Sequence, residues 1–295
     1  MQKNCGRINV LPAVFYVTGE INEPKLRKSK MKKELELYLH IPFCIRKCEY
    51  CDFLSGPADE KSRRVYLDAM LRELAAVGPQ AKEYEVISVY IGGGTPSLLP
   101  GDWMEEMMEV VRDTYCLKKD AEISMEANPG TLTAINLAGY HRAGINRLSL
   151  GCQSTDDTEL KLLGRIHTWA QFQESFQMAR EAGFANLNVD LMSGLPRQNL
   201  TSWEKSLEVI AGMEPEHISA YSLIIEEGTP FAEKKPELPD EEEERRMYER
   251  TWEILQAYGY HQYEISNYAK KGKECRHNLC PARLFQQAQS EVLAL

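Results

Sequence analysis

Cys44, Cys48 and Cys51 form a Cys-x3-Cys-x2-Cys run. Thiolates are strong ligands for iron and zinc. A structural zinc ion takes four ligands, and the nearest further cysteine downstream, Cys116, is far along the chain. On an iron–sulfur cube, three thiolates leave the fourth iron open. A small molecule can then bind that iron through nitrogen and oxygen, as cluster chemistry on a substrate requires. A zinc site completed by a distant His or Cys is the alternative.

Other polar residues stand where strands should end. Gly92-Gly93-Gly94-Thr95 lets a backbone turn sharply and approach a ligand without a Cβ in the way. Read alone, it is equally a break between strand and loop. Glu126 is a carboxylate able to pair with an ammonium group, or else a solvent-facing acid. Asp190 reads as a ligand-binding acid or as a buried, hydrogen-bonded structural one. Gln153, Tyr221 and Ser222 fall at comparable places. His141, His167, His217, His261 and His277 are surface or structural by default, although imidazole is also the usual haem axial ligand. Cys116 and Cys152 read as small core residues.

The elements that position these groups alternate. Strands are predicted at Leu35–Phe43, Val86–Ile91, Glu122–Glu126, Arg147–Gly151, Asn186–Leu191 and His217–Leu223, each apolar and bounded by turn residues. Helices are predicted at Ser62–Val77, Asp102–Tyr115, Thr133–Ala143, Thr168–Ala182, Ser202–Met213 and Asp240–Tyr258. In the first of these, Val65, Leu67, Met70, Leu71, Leu74 and Val77 recur near helical spacing. Repeated βα units make parallel strands with right-handed crossovers. Pattern alone does not separate a barrel from a doubly wound sheet. Functional groups gather at the carboxyl ends of parallel strands. All six predicted ends carry polar or metal-binding residues, which favours a barrel-like α/β fold with a cofactor across its mouth. The alternative is that strand ends are polar because loops are.

The bulk numbers narrow the class. The chain has 295 residues, 43% hydrophobic and 27% charged, with a net charge of −9. That balance argues against a general nucleic-acid or anionic-membrane binder, which needs a basic face. The run from Lys25 to Lys33 is basic; it reads as a solvated linker, with peripheral membrane contact as the other use. No apolar run is long enough to span a bilayer. Ile8–Val17 is broken by Asn9 and Pro12 and reads poorly as a signal peptide. Eight cysteines without a convincing export signal suggest a reducing, cytoplasmic setting and metal in place of disulfides.

The cysteine run and its surroundings resemble the radical S-adenosylmethionine (radical SAM) proteins. More specifically, Tyr38-Leu39-His40-Ile41-Pro42-Phe43-Cys44 resembles the oxygen-independent coproporphyrinogen III oxidase (HemN-like) group. So do Tyr90–Ser97, Glu126-Ala127-Asn128-Pro129-Gly130, Arg147–Ser154, Leu163-Gly164-Arg165-Ile166-His167 and Asp190–Pro196. The likeness runs from about Glu34 to Asn278. It implies a partial (β/α)6 barrel of parallel strands, with a [4Fe–4S] cluster on Cys44, Cys48 and Cys51. It assigns Tyr38, Tyr50, Gly93, Gly94, Thr95 and Glu126 to an S-adenosylmethionine pocket. Gln153, Arg165 and Asp190 match a second such pocket, and Ile224 falls at a backbone-contact position of it.

Phe53 stands where the oxidase branch carries a further cysteine. The resemblance is therefore to the HemW branch, regarded as haem chaperones that pass haem to an acceptor protein. It implies no coproporphyrinogen oxidase activity. In the oxidase branch, the reduced cluster would cleave S-adenosylmethionine to a radical that takes hydrogen from a propionate side chain, releasing carbon dioxide. A plain iron–sulfur or zinc interaction module is the third reading. Residues 1–33 read as an extension or linker, 34–265 as the radical SAM core, and 266–295 as the start of a truncated or atypical C-terminal region. His277-Asn278 resembles the start of a His-Asn motif, and the pattern changes from Cys280 onward, so the C-terminal domain is expected to be largely missing.

Overall fold

The computed structural model of the chain describes residues 14–17 and 32–279. The readings of residues 1–13, 18–31 and 280–295, Cys5 and Cys280 among them, lie outside the described residues. Strand β1 (Val14–Val17) runs antiparallel beside β2 (Lys33–Ile41). The parallel set continues with β3 (Tyr84–Gly93), β4 (Leu117–Ala127), β5 (Arg147–Gln153), β6 (Leu187–Ser193) and β7 (His217–Ser222). A short antiparallel hairpin, β8 (His261–Glu264) and β9 (Asn267–Ala269), completes the sheet.

The strand order is β1-β2-β3-β4-β5-β6-β7-β9-β8. From β2 to β7 it never reverses. Right-handed crossovers that always step the same way put every connecting helix on one face of the sheet, and the other face becomes the inside of a curl. A doubly wound sheet needs a reversal of order, so the structure is the partial barrel.

The connecting helices are α1 (Glu60–Val77), α2 (Gly101–Thr114), α3 (Ala134–Arg142), the short α4 (Asp157–Leu162), α5 (Trp169–Glu181) and α6 (Leu200–Gly212). After β7 come α7 (Pro230–Lys234) and α8 (Glu241–Ala257), and α9 (Arg276–Leu279) follows the hairpin. Their starts are written in the sequence. Asp59, Thr168, Asn199 and Asp240 each accept a backbone N–H of the first turn. In α1 the buried stripe is Leu67, Met70 and Leu74. Val65 is 59% exposed, so it leaves the stripe that spacing had suggested: it stands two positions before Leu67, on another side of a 3.6-residue helix.

The two faces of each strand differ. On β2, Leu35, Leu37, Leu39 and Ile41 are buried against the helices. The alternate residues turn inward, as strand period demands. There Tyr38 stacks on Tyr90, Ser149 and Asn188 meet Asp190, and His217 bonds Asn188. The apolar core therefore lies between sheet and helices, and the lumen is polar.

Candidate active site and cluster centre

The cysteine loop leaves β2 at its carboxyl end and is closed upon itself. Cys44 N–H donates to Gly56 O at 3.0 Å, and Gly56 N–H to Pro42 O at 3.1 Å. Phe43 anchors its base edge-to-face on Tyr66, whose hydroxyl donates to His40 O at 2.6 Å. The far side is held by segments much later in the chain. Glu49 N–H donates to Leu163 O, and Phe231 N–H to Glu49 O, both at 3.0 Å. Arg46 donates to Gly164 O at 2.6 Å, and Lys234 pairs with Glu49 at 2.7 Å. These contacts hold the loop to the rest of the chain.

Within it Cys44, Cys48 and Cys51 are free and half-buried. Burial pushes the Cys51 thiol up, with the Phe53 amide as the main opposing influence. Among the described residues no three His, Cys, Asp or Glu side chains gather around a single ion. A zinc ion would draw its ligands to about 2.3 Å of one point, whereas a cubane takes each thiolate at a separate iron. The other described cysteines stay apart. Cys116 is exposed and precedes β4, at the opposite end of the barrel. The core position expected for it is therefore wrong, because it lies in the turn before the strand, outside the helix-covered part of the sheet. Cys152 is buried, as expected, and donates to Ser154 O. Cys275 is buried against Glu122.

The glycine turn at the end of β3 lies directly against this loop. Gly94 N–H donates to Ile41 O at 2.8 Å. A Cβ on Gly94 would stand 2.6 Å from Phe43 O and 2.9 Å from Phe43 N, so glycine is needed for two backbones to touch. Gly93 N–H donates to Glu126 at 3.0 Å, and Tyr90 OH donates to the other carboxylate oxygen at 2.9 Å. Burial, reinforced by the charge of Asp190, nevertheless raises the Glu126 carboxyl to about 7. A carboxylate held in that state gains most from a cation such as an ammonium group.

Tyr38 lies on the inner face, stacked on Tyr90 and on His277. Tyr50 packs against a small apolar cluster that includes Leu163, Met192, Leu223 and Phe231. Burial raises its phenol, and the neighbouring Arg165 opposes that rise. Thr95 hydroxyl donates to Cys44 Sγ at 3.6 Å, and Arg165 Nη1 to Cys48 Sγ at 3.7 Å.

Gln153 ends β5 at a register slip, with a left-handed φ of 64°. Such a backbone is uncommon for a residue with a Cβ, and strain of that kind gathers at functional sites. Its Nε2 donates to Tyr221 OH at 3.3 Å, while its buried Oε1 has no hydrogen-bond partner among the described residues. Arg165 Nε is likewise buried, with no partner among the described residues. Two such atoms, one acceptor and one donor, fit a ligand carrying both kinds of group. Asp190 accepts from Ser149 at 3.1 Å and Asn188 at 2.7 Å, and burial raises its carboxyl. Ile224, expected to contribute its backbone, lies just past β7 with its side chain 68% exposed.

Two contributors escaped the sequence reading. Tyr90 fixes Glu126 from the inner face of β3. Asn128 bonds both Thr95 and Arg165. Strand period from Glu126 places residue 128 on the same side, and that signal could have found it. The lumen is closed lower down by His277, stacked on Tyr90 at 4.5 Å, where burial lowers its imidazole.

The radical SAM superfamily pattern matches residues 38–210. The chain is 43% identical over 246 residues to the heme chaperone HemW of Escherichia coli K12, covering 83% of this chain and 65% of that one. It is 40% identical over 252 residues to HemW of Bacillus subtilis 168, covering 82% and 65%. It thus spans about two thirds of the length of these relatives. Among solved structures, the coproporphyrinogen III oxidase HemN of Escherichia coli, described as a radical SAM enzyme, superposes with a TM-score of 0.75 at 27% identity. That match covers 83% of this chain and 57% of HemN.

Proposed function

We infer the function from one premise: this chain belongs to the radical SAM superfamily. Cys44, Cys48 and Cys51 would hold a [4Fe–4S] cluster, and the loop carrying them is clamped at Gly56, Leu163 and Phe231. When bound, the cluster supplies an exchangeable iron site and one-electron chemistry. Glu126, oriented by Gly93 N–H and Tyr90 OH, receives the ammonium of S-adenosylmethionine. Gly93, Gly94 and Thr95 form the wall behind it, with Tyr38 below and Tyr50 beside the cysteine loop. Gln153, Arg165 and Asp190 serve a second polar ligand, with Ile224 contributing backbone alone. The observation that carries this reading is three half-buried thiols in one loop whose base touches the glycine turn aimed at Glu126.

The role proposed for the protein is that of a haem chaperone, binding haem and handing it to an acceptor protein in the cytoplasm. HemW relatives at 43% and 40% identity support it. Phe53, 63% exposed, supports it over the oxidase reading, because it stands where the oxidase branch carries a further cysteine. Among the described residues no helix is long and apolar enough to cross a membrane.

Anaerobic reconstitution tests the premise. Wild type is expected to hold about four irons per chain and Cys48→Ser to lose them; zinc alone, or no metal, would sink the reading. Haem titration then separates chaperone from oxidase: haem uptake without carbon dioxide release from coproporphyrinogen III is the expected result, and release of carbon dioxide the contrary one.

A further inference from the structure

We propose that Asn128 is a positioning residue that carries the charge of Arg165 to two of the three cluster thiolates and so sets the cluster's reduction potential. The inference rests on the cluster reading above but not on the haem reading. Its basis is a continuous run of hydrogen bonds. Arg165 Nη1 donates to Cys48 Sγ at 3.7 Å, and Arg165 Nη2 to Asn128 Oδ1 at 2.7 Å. Asn128 Nδ2 donates to Thr95 Oγ1 at 2.8 Å, and Thr95 Oγ1 to Cys44 Sγ at 3.6 Å. Arg165 also donates to Gly151 O at 2.9 Å.

Chemistry fixes the direction of this chain. A guanidinium has donors only, so the oxygen of the Asn128 amide must face Arg165. Its nitrogen must then face Thr95. The Thr95 oxygen accepts that bond, and its own proton is left to point at Cys44. One half-buried cation therefore supplies a donor to Cys48 directly and to Cys44 through two polarised side chains. Donors on cluster sulfurs and nearby positive charge favour the reduced, more negative state.

The relay is built into the fold. Asn128 follows β4, and its backbone is pinned on both sides. Its N–H donates to Ser97 Oγ at 3.1 Å, and its carbonyl accepts from Thr131 Oγ1 at 2.7 Å. Ser97 and Thr131 also bond each other at 2.6 Å. Beneath the relay lies Gly151, where a Cβ would stand 3.0 Å from Asn128 Oδ1 and 3.2 Å from Arg165 Nη2. Space for the Asn128–Arg165 bond has thus been kept by a glycine on the neighbouring strand.

Two substitutions test it on the reconstituted protein without S-adenosylmethionine, with the midpoint read by redox titration and electron paramagnetic resonance. Asn128→Asp keeps the shape but removes the donor and neutralises Arg165. Thr95 then turns its proton toward residue 128 and away from Cys44. Asn128→Leu breaks the relay but leaves the Arg165 charge and the Thr95 hydroxyl in place. Both clusters are expected to be harder to reduce. Asn128→Asp should shift at least tenfold in the oxidised-to-reduced ratio at fixed potential, about 59 mV for one electron, and Asn128→Leu less. A midpoint for Asn128→Asp equal to or above wild type overturns the proposal, as does a larger shift for Asn128→Leu. Loss of iron from both overturns it too, since Asn128 would then hold the loop and not tune the cluster. If Asn128→Asp alone fails to load, the Asn128→Leu midpoint decides. Failure of the wild type itself to load would defeat the cluster reading and this proposal together, an outcome distinct from normal loading with unshifted variants.

Discussion

The two faces of the parallel strands obey different rules. Outward, β2 presents Leu35, Leu37, Leu39 and Ile41, all at 2% exposure or less. Inward, the same strand presents Glu36, Tyr38 and His40, and its neighbours add Glu126, Ser149 and Asp190. A curled sheet with helices on one side needs the outward set to fold. It does not need carboxylates inside, since burying each costs free energy unless it is paired or protonated. The lesson is that stability is concentrated on one side of the strands and chemistry on the other, so substitutions on the two sides should have opposite signatures.

The largest expected effect is on the outer face. Leu39→Ala should destabilise by about 2–5 kcal/mol, read by denaturant unfolding, with unchanged iron content per folded chain. A fall in iron stoichiometry without a fall in stability would break the distinction. Glu126→Gln probes the inner face with the opposite sign. The Glu126 carboxyl, at about 7 in the folded chain against an ordinary 4.5, favours folding fully below pH 4.5. That advantage is lost as pH rises through 7, a penalty of about 3 kcal/mol. The glutamine variant should escape it, gaining stability above pH 7 and none near pH 4, while losing S-adenosylmethionine binding. A variant no more stable than wild type at pH 8 would contradict this.

Gly94→Ala is placed where the two rules meet. Its Cβ collides with the Phe43 backbone, and overpacking costs about 1–3 kcal/mol. Iron loading should fall further than unfolding explains, because the cysteine loop is displaced. The smallest effect is expected at Lys234→Ala. The pair with Glu49 is half in solvent, so about 0.5 kcal/mol or less is at stake. A change above about 1 kcal/mol would make that contact a structural clamp and sharpen the account of how the loop is held.

Much of this was legible in the residues. The six parallel strands carry their period and five of the six long helices a side-chain cap, and each element appears within a few residues of its expected place. The short α4 and α7 and the β8–β9 hairpin were not foreseen, because a few residues contain too little of any period. The cysteine run announced itself by spacing. Its connection to Arg165, 117 positions away, did not, since nothing local to either residue records that the fold brings them together.

The clamps on the cysteine loop also set a timetable. Lys234 lies 185 positions after its partner Glu49, and Phe231 is nearly as distant. A growing chain at about 5–20 residues per second therefore shows its three thiols for roughly 10–40 s before the last pieces that brace them are made. Metal delivery to a finished site must wait for the ribosome to pass that point, and until then the nascent thiols are open to oxidants and stray metal ions.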